Sequence, residues 1–469
     1  MKKYVLLLSI LFISVAFSQE SVEDLKRLLE EYKKKIQEIE RRLEELEKAK
    51  KEEEKKKEAV ALKPTPADRT LKIRTKYEER LGAYQVSPFS QKAFLPDISL
   101  ILDFSFVGRN KKDSELKELE IPALYHGHGG HEHGELNEKR GFNLNYAELF
   151  LYAPVDPYFD LYATIPFSED GSTVEEAYAV TRGLPYGFQV KVGKFRSSFG
   201  RLNSQHPHVW EFANPPLVYK VFLGEGLIEK GVQVNWLAPV PFYLLLGAEV
   251  LQGENEMSFG TEGFSVNEDL RVPDTPKPNL YVGFLKTSFD VGNLSLLGGI
   301  SYAYGRTRIN HLEDEEEPHA FAGRTKIYGL DLTAKYFIDS YRYLAFQGEY
   351  LYRRQEGTKY TPESTSPLTK KQGGLYAQVV WKFDRRWRTG IQYNLINKNE
   401  LKVNGIKKDL PDDLSAYYWM LEFNPTEFSR IRLQLGQNRA FYKEDKRKTI
   451  NEFIFQFNFV IGAHTSHPF

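Results

Sequence analysis

The sequence predicts an all-β transmembrane barrel of about sixteen antiparallel strands, preceded by an N-terminal α-helical coiled coil. Three observations carry this. The last amphipathic segment, Asn451–Gly462, puts Phe453, Phe455, Phe457, Phe459 and Ile461 on one parity and Glu452, Gln456 and Asn458 on the other. That is the pattern of a strand with lipid on one side and water on the other. From Pro96 onward, amphipathic segments of about ten residues alternate with connections that are short, then long. Aromatic residues make up 14% of the chain, with 28 Tyr and 32 Phe, as girdles at two membrane interfaces require.

The elements before the barrel are read in order. Residues 1–18 look like a secretory signal: Lys2 and Lys3 start it, Tyr4 to Phe17 form the apolar stretch, and Ala16-Phe17-Ser18 supplies a cleavage site. The mature chain is expected to begin at Gln19. Residues 19–60 form a coil, with Val22, Leu25, Leu29, Tyr32, Ile36, Ile39, Leu43 and Leu46 recurring at spacings of three and four among Glu, Lys and Arg. Isoleucine at 36 and 39 leans toward three or more strands in that coil. Lys63-Pro64-Thr65-Pro66 breaks the helix. Residues 61–94 are a linker or one extra strand.

No later window of about twenty apolar residues forms a membrane helix. The mean hydropathy of −0.48 would suit a soluble chain, but in a barrel only every second strand residue meets lipid. The chain has no cysteine, so an exported form has neither disulfides nor thiol chemistry. Basic and acidic residues number 64 each, which gives no indication of a nucleic-acid partner.

In the barrel region, residues 95–469, the strands are expected near 96–108, 142–153, 158–167, 174–182, 187–195, 229–238, 242–251, 279–290, 293–304, 325–338, 341–353, 372–383, 387–396, 414–423, 429–439 and 450–462. Short turns such as Pro154–Pro157 and Pro239–Pro241 fall on one rim. Long connections near 109–141, 196–228, 252–278, 305–324, 354–371, 397–413 and 440–449 fall on the other, with a shorter one at 168–173. Tyr328, Leu330, Leu332, Ala334 and Tyr336 read as lipid-facing, against Asp331, Thr333 and Lys335 in the lumen; Ile431, Leu433 and Leu435 oppose Arg432 and Gln434 in the same way. An even strand count puts both barrel ends on one side, expected to be the periplasm beside the coil. The long connections are then extracellular.

The long connection 196–228 is apolar, aromatic and low in net charge. The stretch VGKFRSSFG…PPLVY…FLGEGL…KGVQVNWLAP resembles phosphate-selective-type porins, and still more a related group of outer-membrane proteins described as zinc-regulated receptors. The resemblance covers residues 95–469 in architecture, with its specific motifs within about 190–253 and at the C-terminus. It implies that the loop after the fifth strand folds into the barrel and narrows it. On that basis Arg196, Arg201, His206, His208, Glu211, Lys220 and Glu225 are the constriction candidates. Phosphate selectivity needs a ladder of lumenal arginines, and the strand pattern shows mixed charge instead.

Histidines give the second clue. His126, His128, His131 and His133 lie in HGHGGHEHGE with Glu132 and Glu135, a donor set suited to zinc, copper or nickel. His206 and His208 fall in the third long connection, and His311 and His319 bracket an acidic run; all eight are expected on the extracellular rim. The leading expectation is an outer-membrane, homotrimeric diffusion channel for small solutes or ions, with zinc captured by its histidine-rich loops and no required cofactor. Its expected partners are outer-membrane lipid, the barrel-assembly machinery and, through the coil, the cell wall. The alternatives are an energised zinc-uptake receptor and a coil-mediated envelope tether. An enzyme is not expected: Ser204 with His206 is the one weak catalytic pairing.

Overall fold

The computed structural model describes residues 96–126, 136–169, 171–224, 226–313 and 318–462, together with Arg41, which is helical. The expected signal, the rest of the coil, the linker and the tail from Ala463 lie outside the described residues. So do His128, His131, His133, Glu132, Glu135 and Glu225.

Alternation of lipid-facing and water-facing side chains yields sixteen long strands: β1 (Asp97–Arg109), β2 (Gly141–Pro154), β3 (Phe159–Ser168), β4 (Glu176–Thr181), β5 (Phe188–Arg196), β6 (Ile228–Leu237), β7 (Tyr243–Leu251), β8 (Leu280–Val291), β9 (Leu294–His311), β10 (His319–Phe337), β11 (Tyr343–Tyr360), β12 (Thr365–Lys382), β13 (Trp387–Val403), β14 (Leu414–Thr426), β15 (Ser429–Lys443) and β16 (Lys446–Gly462). Each pairs antiparallel with the next. β1 pairs with β2 on one side and with β16 on the other, in register from Ser99 opposite Gly462 to Arg109 opposite Glu452. The sheet is therefore a closed barrel with no free edge, as the sequence pattern led us to expect.

The outer face carries an apolar band between two aromatic girdles. On β10, Tyr328, Leu330, Leu332 and Tyr336 are exposed while Asp331 and Ile327 are buried inside. From Tyr328 to Tyr336 is about 27 Å along the strand at ~3.4 Å per residue. Toward the long-loop rim, Tyr302, Tyr328 and Tyr352 line up across β9–β11, with ring centroids 5.0 and 6.2 Å apart. Toward the short-turn rim, Phe242 meets Phe289 at 5.3 Å and Trp387 meets Phe423 at 4.7 Å.

The structure corrects the expected loops. Residues 305–324, 354–371 and 440–449 are not open connections but hairpin extensions of β9 to β12, β15 and β16, and β13 runs on to Val403. The reason lies on the outer face. Beyond the tyrosine girdle, the outward positions become Arg306, Arg308, Arg324, Lys326, Arg354 and Glu356. Backbone pairing continues there after the apolar alternation has stopped. His311 and His319 are thus strand residues, direct register partners with ring centroids 5.4 Å apart.

Inside, the 197–227 connection folds into the lumen rather than leaving the barrel. Its short helix α1 (Leu217–Leu223) buries Leu217, Val218, Tyr219, Val221, Phe222 and Leu223. Lys220 apart, the helix is apolar all round and belongs in a core. Here the core is made with inward residues such as Ile327, Leu351 and Ile396, together with Leu119, Ile121 and Leu124 from the first long connection.

An arginine at Leu330, mid-band on the outer face, should cost about 2–4 kcal/mol, whereas an arginine at exposed Ile406, beyond the girdle, should cost within about 0.5 kcal/mol. Urea titration of folding into lipid vesicles measures both, and equal costs would contradict the band.

Candidate functional site: a loop folded across the lumen

The inward loop has many backbone donors and no partner strand of its own, so the barrel wall supplies acceptors. Buried polar groups left unpaired each cost about 1–3 kcal/mol. Every second strand around the far wall provides one acceptor group. Glu249 on β7 accepts from Ser197 Oγ (2.5 Å) and Ser198 N–H (2.8 Å). Ser301 Oγ on β9 accepts from Gly200 N–H at 3.0 Å. Glu349 on β11 accepts from Arg201 N–H (2.9 Å), Leu202 N–H (2.7 Å) and the Tyr219 hydroxyl (2.8 Å). Asn394 on β13 accepts from Leu217 N–H at 3.0 Å, meeting one of the unpaired donors at the start of α1. Gln434 on β15 accepts from Ala213 N–H at 2.8 Å.

The loop's sequence suits these anchors. Gly200 has φ of +66°, and a Cβ there would collide with Glu349 Oε2 and the Tyr219 hydroxyl, so only glycine turns the chain at this point. Gly224, also at positive φ (63°), ends α1 with its N–H on the Lys220 carbonyl. Arg353 Nη1 donates to the Met257 carbonyl and Ser258 Oγ, both at 3.0 Å, and to the Val221 carbonyl at 3.3 Å, tying the next long connection to the inward loop. Its guanidinium lies over the Phe222 ring at 4.4 Å.

The constriction candidates separate into distinct neighbourhoods. Arg201 lies beside Lys286, Asp331 and Glu349, and Lys286 Nζ donates to the Gly200 carbonyl. Glu211 pairs with Arg388 at 2.6 Å, and Arg388 in turn pairs with Glu422, which also holds Arg432 at 2.9 Å. Lys220 lies over Tyr125 at 4.8 Å, under the first long connection and away from these groups.

Arg196, His206 and His208 share the third neighbourhood. Arg196 is a buried positioning group rather than an open lumenal cation: its Nε donates to Glu175 at 2.8 Å and its N–H to Glu176 at 2.7 Å. The two histidines are not on the extracellular rim but inside the barrel, stacked at 5.6 Å with His208 1% exposed. They are drawn in because Glu148 on β2, Glu175 and Glu176 concentrate negative charge there. His206 Nε2 is 2.8 Å from Glu176 Oε2, and His206 Nδ1 is 3.7 Å from both Glu148 and Glu175. Burial alone would lower the His206 pKa; Glu148, Glu175 and Glu176 outweigh it and hold it up at about 9. Ser204 Oγ donates to the Arg201 carbonyl, and His206 Nε2 is turned to Glu176.

Sequence reasoning placed Asp331, Lys335 and Arg432 in the lumen by parity. It missed Glu148, Glu175, Glu176 and Glu349. Inward parity marks Glu148 and Glu349 as lumenal, but nothing local says that either meets the 197–227 loop.

The expected metal set from the first long connection is described only at His126, whose backbone pairs with Glu120.

No family model matches the chain. Solved structures similar to it include OmpT of Vibrio cholerae in its trimer form, at 11% identity over 79% of this chain and 100% of that one, with a TM-score of 0.47. The outer membrane channel DcaP of Acinetobacter baumannii matches at 9% identity over 79% and 99%, with a TM-score of 0.48. OprB of Pseudomonas putida matches at 13% identity over 79% and 95%, with a TM-score of 0.46. The sixteen-strand barrel described above rests on this chain's own strand pairing.

Replacing Glu349 by alanine leaves the Arg201 and Leu202 amides and the Tyr219 hydroxyl without their acceptor. Hydrogen exchange at Gly200–Leu202 should then quicken by about tenfold or more, since the lost bonds are worth on the order of 1–3 kcal/mol. Unchanged exchange would show that this carboxylate does not hold the loop.

Proposed function

We propose that the chain is a diffusion channel of a bacterial outer membrane, passing small anions in preference to cations. The observation that carries this reading is the loop anchored around the lumen of a sixteen-strand barrel, a width that otherwise leaves an aqueous passage. Charge lining a constriction sets selectivity. Asp331, Glu349 and Glu422 are at most 3% exposed, whereas Lys286, Lys335 and Lys382 are half-buried and Arg388 is held between Glu211 and Glu422. Lys335 and Lys382 flank the Tyr343 ring at 4.3 and 6.0 Å, and Arg388 is the register partner of Lys382. Together they make a basic mouth on the short-turn side.

The finer parts of the reading rest on the sequence. The amphipathic final strand and the signal-like start support an outer-membrane address. The heptad seam at 19–60 supports a homotrimer whose coil extends into the periplasm, where it is placed to touch the cell wall. The histidines at 126, 128, 131 and 133 support zinc capture at the outer mouth, in line with the resemblance to zinc-regulated receptors. An energised receptor needs a separate N-terminal plug, for which the coil supplies too few residues.

Reversing charge at both Lys335 and Lys382 (K335E with K382E) should lower the anion-to-cation permeability ratio by about tenfold, equivalent to about 1.4 kcal/mol. Reversal potentials in a salt gradient across a planar bilayer measure it. A barrel that folds but never conducts would overturn the channel reading, and an unmoved reversal potential would overturn the role of the basic mouth. For the outer histidines, calorimetry on a variant with His126, His128, His131 and His133 changed to alanine should show loss of weak zinc sites. Retention of every site would exclude capture there.

A further inference from the structure

Glu148 on β2, Glu175 just before β4, and His206 on the inward loop each offer one ligand atom, and these atoms all lie within 4.8 Å of one another. His206 Nδ1 is 3.7 Å from Glu148 Oε2 and 3.7 Å from Glu175 Oε1. Donors bound tetrahedrally to one ion at ~2.0–2.2 Å stand about 3.4 Å apart, so only small side-chain movements separate this arrangement from a coordination sphere.

Two further features point to a cation. Glu148 is 2% exposed, and its Oε1, 3.7 Å from His208 Nδ1, has no hydrogen-bond partner among the described residues. A carboxylate buried in this way ionises only where positive charge meets it, here the His206 imidazolium or an ion in its place. His206 is also oriented as a ligand. With Nε2 on Glu176 Oε2 at 2.8 Å, Nδ1 faces Glu148 and Glu175 at 3.7 Å and makes no hydrogen bond among the described residues, so a metal ion there takes the place of the proton that Nδ1 otherwise carries. A carboxylate behind the imidazole is the usual outer-shell support of a histidine ligand. Glu176 is itself fixed, because its other oxygen accepts from Arg196 N–H at 2.7 Å, and Arg196 Nε holds Glu175 at 2.8 Å. Once a metal replaces the Nδ1 proton of His206, three carboxylates facing one guanidinium leave an excess of two negative charges, the complement of a divalent ion.

We propose that Glu148, Glu175 and His206 form a divalent transition-metal site inside the barrel, with Glu176 as the positioning residue for His206. One imidazole with two carboxylates suits zinc, cobalt or nickel better than magnesium or calcium, which take oxygen donors. Exposure of 18% at His206 gives the ion a way in. Bound there, the metal clips the inward loop to β2 and to the start of β4, the part of the wall away from the Glu249–Gln434 anchors. The site is separate from the outer histidines and does not depend on the channel reading: it holds metal whether or not the barrel conducts.

The test uses the untagged full chain in detergent, with His126, His128, His131, His133, His311 and His319 changed to alanine so that the loop histidines do not compete with the inner site. Zinc titration by calorimetry should show one tight equivalent. Glu148→Gln or His206→Gln should weaken it at least tenfold, and Glu176→Gln by ten- to a hundredfold. Zinc affinity unchanged by Glu148→Gln and His206→Gln would overturn the site. If those variants fail to fold, X-ray absorption of the one-zinc form of the histidine-loop variant decides. A single imidazole with carboxylate oxygens supports the site, and several imidazoles or none overturn it.

Discussion

Closure of the sheet is the constraint on which the rest depends. In hydrocarbon, each unpaired backbone group costs several kcal/mol, so a spanning sheet must have no edge. The register between β1 and β16 meets that demand along eleven consecutive residue pairs. Closure with sixteen strands in turn creates an interior too wide for wall side chains alone to fill. The chain must then leave that space to water or fill it with a segment of its own.

It does the second in part, narrowing the interior, and the physics of that choice explains the lumen's composition. A loop inside a barrel cannot join the strand ladder, so its amides need side-chain acceptors. Glu249, Ser301, Glu349, Asn394 and Gln434 provide them from alternate strands. Inward apolar residues such as Ile327, Leu351 and Ile396 are explained in the same way. They meet α1, not water, which is why the lumen departs from a purely polar lining.

Most of the barrel was legible because strand parity is a local property. The alternation at Tyr328–Tyr336 and at Phe453–Ile461 fixed facing, and the proline and glycine turns fixed the strand count. The hairpin extensions were not legible, since beyond Tyr302 and Tyr328 the outer face carries Arg306 and Arg324 and the apolar signal ends while pairing continues. The site was legible only in part. The 197–227 loop stood out by its apolar, aromatic composition and its family resemblance, and Arg201 and Glu211 do meet lumenal charges. The company of His206 was hidden, because Glu148 and Glu175 reach it through sheet closure and loop entry, relations between segments 30 to 60 residues apart. Arg196 was misread for a related reason: its carboxylate partners come from the start of β4, on a neighbouring strand.

The central claim is that the inward loop, and not the barrel wall, sets the passage through this protein. The most direct measurement is single-channel conductance of a variant in which residues 204–222 are replaced by a short Gly-Ser link, with barrel folding confirmed by heat-modifiable gel mobility. The account predicts a severalfold rise in conductance and passage of larger solutes. A folded barrel whose conductance matches that of the intact chain would contradict it.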